Sequence, residues 1–235
     1  MSVTLFYSWE IKRSSIPLAL WHMAVDRISL KRNPQITFFK SLGTGRGETF
    51  TPSDADATRW ALLVVLEESA VEEFHNSALI NSWRSFAVHE YRATLAPIAS
   101  HGEWSKTEPF SPSAPADWSG KVAAITRARI KPRMNAIFWR SVPEVNESLH
   151  AAPGLITALG IGEAPIGLQG TFSIWESASA LRDFAYRGQA HQRVIARTQE
   201  LGWYSEELFA RFALIEERGR ISTCPSAATN PDDGI

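Results

Sequence analysis

The sequence predicts an α+β protein in which two ferredoxin-like units, arranged in tandem, pack as a pseudo-dimeric α/β barrel. Two observations carry this. The hydrophobic period switches between strand-like alternation and helical spacing in one order (strand, helix, strand, strand, helix, strand), and that order occurs twice. The two passes also share a local match. Leu62-Leu-Val-Val-Leu-Glu-Glu-Ser-Ala-Val-Glu-Glu-Phe74 stands beside Thr171-Phe-Ser-Ile-Trp-Glu-Ser-Ala-Ser-Ala-Leu-Arg-Asp-Phe184. Each is an apolar strand, then Glu and Ser at a turn, then a helix that opens near acidic residues. The units are set at residues 1–101 and 121–221, joined by a linker over 102–120 and followed by a polar tail over 222–235.

In the first unit Val3 to Tyr7 reads as a strand. Ser14-Ser-Ile-Pro17 supplies a serine cap and an early proline, which together start a helix. That helix runs to Leu30, with Leu20, Met23, Ala24 and Arg27 on one face. Ile36 to Leu42 is a second strand, stopped by Gly43-Thr-Gly-Arg-Gly47. Trp60 to Leu66 is an almost continuous apolar run and a third strand; Ser69 to Phe86 is helical, and Arg92 to Ser100 returns as a strand. From His101 to Gly120 the composition changes, with Pro109, Pro112 and Pro115 among serines, and reads as a linker. In the second unit Val122 to Ile130 is a strand, Met134 to His150 a helix, and Gly154 to Gly162 a short glycine-rich segment. Gly167 to Trp175 is a strand, Ser177 to Leu201 a helix, and Leu208 to Glu216 the last strand. The tail from Ser222 is polar and reads as disordered.

Composition narrows the function classes. With 235 residues, 44% hydrophobic and 21% charged, the chain can bury a substantial core. A net charge of −1 and no long basic run leave no electrostatic footprint for nucleic acid. The lone cysteine, Cys224, sits in the tail, so neither a disulfide framework, a cysteine zinc set nor a thiolate axial ligand is expected. The N-terminus lacks a basic stretch followed by an apolar one, and no apolar run approaches the roughly 20 residues that cross a bilayer. The expected location is the cytoplasm, with any membrane-dissolved substrate met at the bilayer surface. Nine tryptophans and twelve phenylalanines imply large apolar contacts, in a core or a roomy pocket.

His191 lies on the apolar stripe of the last helix, with Val194, Ile195 and Thr198 three, four and seven residues on. A neutral imidazole aimed into an apolar cavity suits a haem iron. By helical position alone, a buried histidine satisfied by a backbone group is the commoner outcome. In the first unit the place of His191 falls near Leu79 or Ile80, so that unit offers no equivalent ligand. Arg182, Arg187, Arg193 and Arg197 interleave with apolar residues; they suit a local anionic group, or form a solvated face. Gly43 to Gly47 looks like a phosphate cradle but opens no helix and lacks the Lys-Ser/Thr ending, which favours a turn or a close backbone passage. His22 and Asp26, four apart, can pair on a helix face. No metal-binding His spacing and no nucleophile elbow occurs in local sequence. Lys40, after Phe38 and Phe39, and Arg140, after Phe138 and Trp139, are charges beside bulky apolar groups. Each reaches solvent on its long stem, or turns into a pocket to bind a propionate or polarise a ligand.

These residues carry a family likeness. The chain resembles the spheroidene monooxygenases, acyclic-carotenoid ketolases, from about residue 3 to 222. The likeness rests on Lys40-Ser-Leu-Gly-Thr-Gly45, Phe50-Thr-Pro52, Val122-Ala-Ala-Ile-Thr-Arg-Ala-Arg-Ile-Lys-Pro132, Phe138-Trp139, Val142-Pro143 and Gly160-Ile-Gly-Glu163. Thr171-Phe-Ser-Ile-Trp175, Phe184-Ala185, His191, Gly202-Trp203 and Glu206-Glu-Leu-Phe-Ala-Arg-Phe212 complete it. One departure is Ala190, where the family pattern carries a proline before the histidine. The resemblance implies a b-type haem oxygenase, one haem per chain in the second unit, with His191 as axial ligand. It implies a ring held between that helix and the strand Gly170 to Trp175, with Phe172, Ile174, Phe138 and Trp139 as pocket walls. Arg187, Arg140 and Lys40 are then candidate partners of the haem or the substrate. Oxygen from O₂ would enter an apolar polyene, with electrons from an external donor such as a ferredoxin, because no flavin or nicotinamide fingerprint occurs. Two rivals stand beside this: a haem lyase acting on an N–O bond, as aldoxime dehydratases do, and a non-catalytic haem-binding or structural protein. A homodimer through a sheet edge or helix face is open, with no specific signal for it.

Overall fold

The computed structural model describes residues 1–45, 54–131, 147–163, 170–187 and 204–221. The first unit comprises β1 (Ser2–Ile11), α1 (Ile16–Arg32), β2 (Ile36–Gly45), β3 (Ala55–Glu67), α2 (Val71–His75), α3 (Ala78–Phe86) and β4 (Ala87–Gly102). The second comprises β5 (Val122–Ile130), β6 (Leu155–Gly162), β7 (Gly170–Trp175), α4 (Ala178–Arg187) and β8 (Tyr204–Gly219). The strands close into one antiparallel barrel in the order β1-β3-β2-β6-β7-β5-β8-β4. Read as two halves, the order is β4-β1-β3-β2 and β8-β5-β7-β6, the same ferredoxin-like arrangement twice. The expected α+β tandem barrel is the observed fold.

Strands outrun their sequence bounds because a barrel pairs residues that an apolar pattern misses. β4 continues from Ala87 to Gly102 and pairs with β8 from Tyr91↔Gly219 to Gly102↔Leu208, forming one seam between the units. The other seam is short: Gly43↔Gly162 and Thr44↔Ile161 join β2 to β6. The glycine run that resembled a phosphate cradle therefore opens in a strand and closes the barrel; residues 46 and 47 lie outside the described ones. Each barrel strand has two neighbours, though β2 and β6 meet over two residue pairs only.

Alternation then sorts side chains. Phe6, Leu42, Leu63, Leu95, Ile125, Leu159, Phe172, Ile174 and Phe212 fill the barrel interior. Phe6 of one unit stacks on Phe172 of the other at 3.9 Å between ring centroids. The interior is thus a shared core rather than a channel. Outside it, Leu5, Tyr7, Trp9, Trp60, Leu62 and Val64 pack against the first unit's helices. The expected helix from Ser69 to Phe86 is broken: α2 ends at His75, and Ser77 caps α3 by accepting from the Ile80 N–H.

α1 buries a different face from the expected one. Ala19, His22, Asp26 and Leu30 point inward, while Leu20 is exposed. The reason is a polar clamp. His22 Nδ1 lies 3.1 Å from Asp26 Oδ1, and Ser82 Oγ lies 3.1 Å from His22 Nε2. Trp83 Nε1 donates to Asp26 Oδ2 at 2.8 Å. Every member is satisfied, which is the condition for burying such a pair.

The expected linker is a strap over one end of the barrel. Trp104 and Phe110 enter the interior core. Gly102 makes the exit possible: its φ is +88°, and a Cβ there would come within 2.2 Å of the Glu207 carbonyl oxygen. Beneath the strap lies a charged network. Arg127, 2% exposed, pairs with Glu163 at 2.9 Å and with Glu206; Lys40 reaches Glu163 at 2.8 Å. Trp104 Nε1 donates to Glu163 at 2.8 Å. Ser105 and Lys106 adopt left-handed φ values of 58° and 61°, which aim both N–H groups at the Glu206 carboxylate, 3.0 and 2.9 Å away. The backbone strain, about 1–3 kcal/mol per residue, is offset by these charge-assisted bonds.

Burial works to raise the Glu163 and Glu206 carboxyls, but their hydrogen bonds and the Lys40 and Arg127 charges leave both below the usual carboxylate range. A depressed carboxyl stabilises the fold above its unfolded pKa, and that stability is lost as pH falls through the folded one. Melting temperature is therefore expected to fall with acidification from about pH 5 downward, with a shallower slope in Glu163→Gln. Arg127→Ala, which removes the cation shared by two part-buried carboxylates, is expected to cost about 1.5–3 kcal/mol in chemical denaturation. A cost under 1 kcal/mol would show that the network is not a structural lock.

Candidate functional site

The two units differ most on the outer faces of their sheets. In the first, cross-strand rows run Phe39–Val64–Leu5–Thr94 and Ser41–Leu62–Tyr7–Arg92. Helices α2 and α3 close on this bulk. Tyr7 stacks on Trp9 and Trp9 on Trp83, with ring centroids 5.3 and 4.8 Å apart. Tyr7 Oη lies 2.5 Å from His75 Nδ1. Burial pushes the Tyr7 phenol above its ordinary range and the His75 imidazole below its own. Both are then neutral near pH 7 and share one hydrogen bond. This face is filled by its own side chains.

In the second unit the corresponding rows are Gly160–Thr171–Thr126–Phe209 and Ala158–Ser173–Ala124–Arg211. Apart from Phe209 and Arg211 at the β8 edge, every member is Gly, Ala, Ser or Thr. The result is a flat floor of small side chains. Trp175 bounds it at one end, donating from Nε1 to Ser173 Oγ at 2.9 Å, with Phe184 of α4 at 5.2 Å between ring centroids. Arg211 projects from the same face. Its Nε is buried and finds no hydrogen-bond partner among the described residues. A floor without bulk and an unpartnered buried guanidinium nitrogen at its rim fit a large planar group that carries anionic substituents.

The sequence-predicted residues distribute as follows. Phe172 and Ile174 were expected to line the space between strand and helix; instead they turn into the barrel interior. Ser173 and Trp175 take the outward positions, because side chains alternate along β7. Lys40 likewise faces inward, its charge held by Glu163, with Ser105 Oγ 2.5 Å away. It is a member of the network under the strap and not of the outer floor. Arg187 is the last described residue of α4, and its side chain lies outside the description. Phe138, Trp139, Arg140 and His191 lie outside the described residues, His191 four positions beyond the end of α4. Among the described residues no three His, Cys, Asp or Glu side chains gather to hold a metal ion.

Arg211 and the small-residue floor escaped the sequence reading. The signal was present in Leu208 to Phe212, where an arginine occupies the outward register of an otherwise apolar strand, and in Ala124, Thr126 and Ala128 of β5. It becomes meaningful only when neighbouring strands are known.

Comparison with known proteins agrees with this architecture. No family model matches the chain. The chain is 35% identical over 210 residues to the spheroidene monooxygenase of Rhodobacter capsulatus, covering 88% of this chain and 87% of that one. It is 35% identical over 190 residues to the Rubrivivax gelatinosus spheroidene monooxygenase, covering 79% and 72%. With the Cereibacter sphaeroides protein of that name it shares 32% over 204 residues, 86% of this chain and 63% of the relative. Among solved structures, an aldoxime dehydratase superposes with a TM-score of 0.56 at 12% identity, covering 91% of this chain and 81% of the other. A second aldoxime dehydratase, in complex with butyraldoxime, gives 0.55 at 13%, covering 91% and 79%. At such identity these two show a common fold. The identities to three curated relatives show more: the chain belongs to the spheroidene monooxygenase family, and it is a monooxygenase.

Proposed function

We propose that the enzyme is a b-type haem monooxygenase that inserts oxygen from O₂ into an apolar, carotenoid-like polyene. The observation that carries this reading is the asymmetry of the two outer faces: bulk fills the first, and small side chains floor the second. The relatives' common name supports the substrate class, and the family resemblance supports the haem. His191 would hold the haem iron, with Ala124, Thr126, Thr171 and Ser173 beneath the ring and Arg211 at its anionic edge. Bound there, haem would supply O₂ activation, with electrons from an external donor such as a ferredoxin. The chain's own part is to exclude water from the floor, to neutralise a carboxylate through Arg211, and to present apolar surface at Phe209. Arg140 and Arg187 remain proposed contacts of the haem or substrate.

A lyase acting on an aldoxime is the second reading, favoured by the structural likeness alone. There the substrate nitrogen would meet the iron, and turnover would need no O₂.

Hemin titration of the purified chain tests the assignment. Wild type is expected to develop a sharp Soret band that shifts or disappears in His191→Ala. Ala124→Trp, which fills the floor, is expected to reduce hemin affinity at least tenfold, at some cost in stability because Ala124 is buried. Absence of a Soret band in wild type would sink the haem reading. Activity on a polyene that vanishes under argon supports the monooxygenase, whereas anaerobic turnover of an aldoxime would select the lyase. Phe172→Ala separates core from pocket: it is expected to lower stability by about 3–5 kcal/mol, with hemin affinity unchanged.

A further inference from the structure

The outward face of α1 is apolar. Trp21 is 57% exposed and Ile28 54%, and Leu18 and Leu20 are exposed beside them. At helical spacing Pro17, Trp21, Ala24 and Ile28 line the centre of this face, while the polar His22 and Asp26 point inward. Apolar groups therefore lie on both sides of the helix, with Ala19 and Leu30 holding it to the core and the larger ones turned outward. A soluble surface rarely collects large apolar groups this way without something to cover them.

Charge identifies the cover. From Lys12 to Arg32 the exposed charged residues are Lys12, Arg13, Arg27, Lys31 and Arg32, all basic; Asp26, the single acid, is buried in the clamp. None of these cations has an ion-pair partner shown among the described residues. They lie at both ends and along one flank of the apolar face. Two-fold pairing with a second copy would set cations against cations, since an isologous interface matches a patch with itself. An anionic bilayer surface satisfies both features: the apolar groups enter the acyl boundary and the cations meet headgroup phosphates.

From this apolar face and its basic ends we infer that α1 lies in the plane of an anionic lipid membrane and docks the enzyme on it. The inference goes beyond the monooxygenase reading and does not depend on haem, since α1 belongs to the unit whose outer face is filled. It does give an apolar polyene a place to meet the protein.

Co-sedimentation of the full chain with vesicles tests it. Binding is expected to vesicles of phosphatidylglycerol mixed with phosphatidylcholine and to be far weaker to phosphatidylcholine alone, and it should weaken as salt rises. Trp21→Glu with Ile28→Glu is expected to abolish sedimentation with an unchanged melting temperature, because both side chains are exposed. Lys31→Gln and Arg32→Gln should each reduce partitioning about fivefold. Failure of wild type to sediment with the anionic vesicles would overturn the inference, as would full binding by the Trp21/Ile28 variant. So would analytical ultracentrifugation showing a dimer that this variant dissociates while lipid binding is nil. Hemin uptake, measured on the same preparations, reports separately on the haem reading.

Discussion

Closure of eight strands into one barrel is the constraint on which the rest depends. Once the sheet closes, every strand must give one register to a common interior and the other to the outside. The interior accepts only volume that fits, and Phe6 against Phe172 shows both units contributing to one core. Freedom to differ is left to the outward register. In the first unit that register carries Leu5, Tyr7, Trp9, Trp60 and Val64, and in the second Ala124, Thr126, Thr171 and Ser173. Two copies of one fold thus diverge in their outer faces without changing topology.

The strap and its charges explain how the barrel end is closed without an apolar plug alone. Arg127 would be prohibitive in the interior if unpaired, and the two carboxylates would repel one another without it. Trp104 lies over both cations, with Lys40 Nζ at 5.7 Å and the Arg127 guanidinium carbon at 5.6 Å from its ring. Four segments that carry the family likeness each supply one member: Lys40, Arg127, Glu163 and Glu206. Their common task is this network, which ties β2, β5, β6 and β8 to the chain that connects the two units. In the structure Lys40, which the resemblance suggested as a partner of the haem or the substrate, is paired with Glu163.

Polar burial recurs on α1 with a different consequence. Because His22 and Asp26 are satisfied by each other and by Ser82 and Trp83, α1 is held to α3 through a hydrogen-bonded clamp while Ala19 and Leu30 enter the core. Its large apolar residues are then free for the outside. The helix gains a surface chemistry that its inward contacts do not need.

The sequence by itself determined the class of fold, the repeated strand order and the family, because period and motif are local properties that neighbouring residues express together; the expected helices Met134 to His150 and Ser177 to Leu201 lie largely outside the described residues. It also showed His22 and Asp26 as a pair, which helical spacing alone implies. It did not determine which way a register faces. Phe172 and Ile174 look like pocket walls in an apolar strand, and whether they line the interior or the outer floor depends on strands far away in the chain. Leu20 and Ala24 look like a core face until Ser82 and Trp83 claim the opposite one. Arg211 looks like any strand charge until its outward register beside the small Ala124 and Ser173 is known. Those decisions belong to tertiary structure, because burial and charge pairing are set by what lies across the barrel wall and not by what adjoins in sequence.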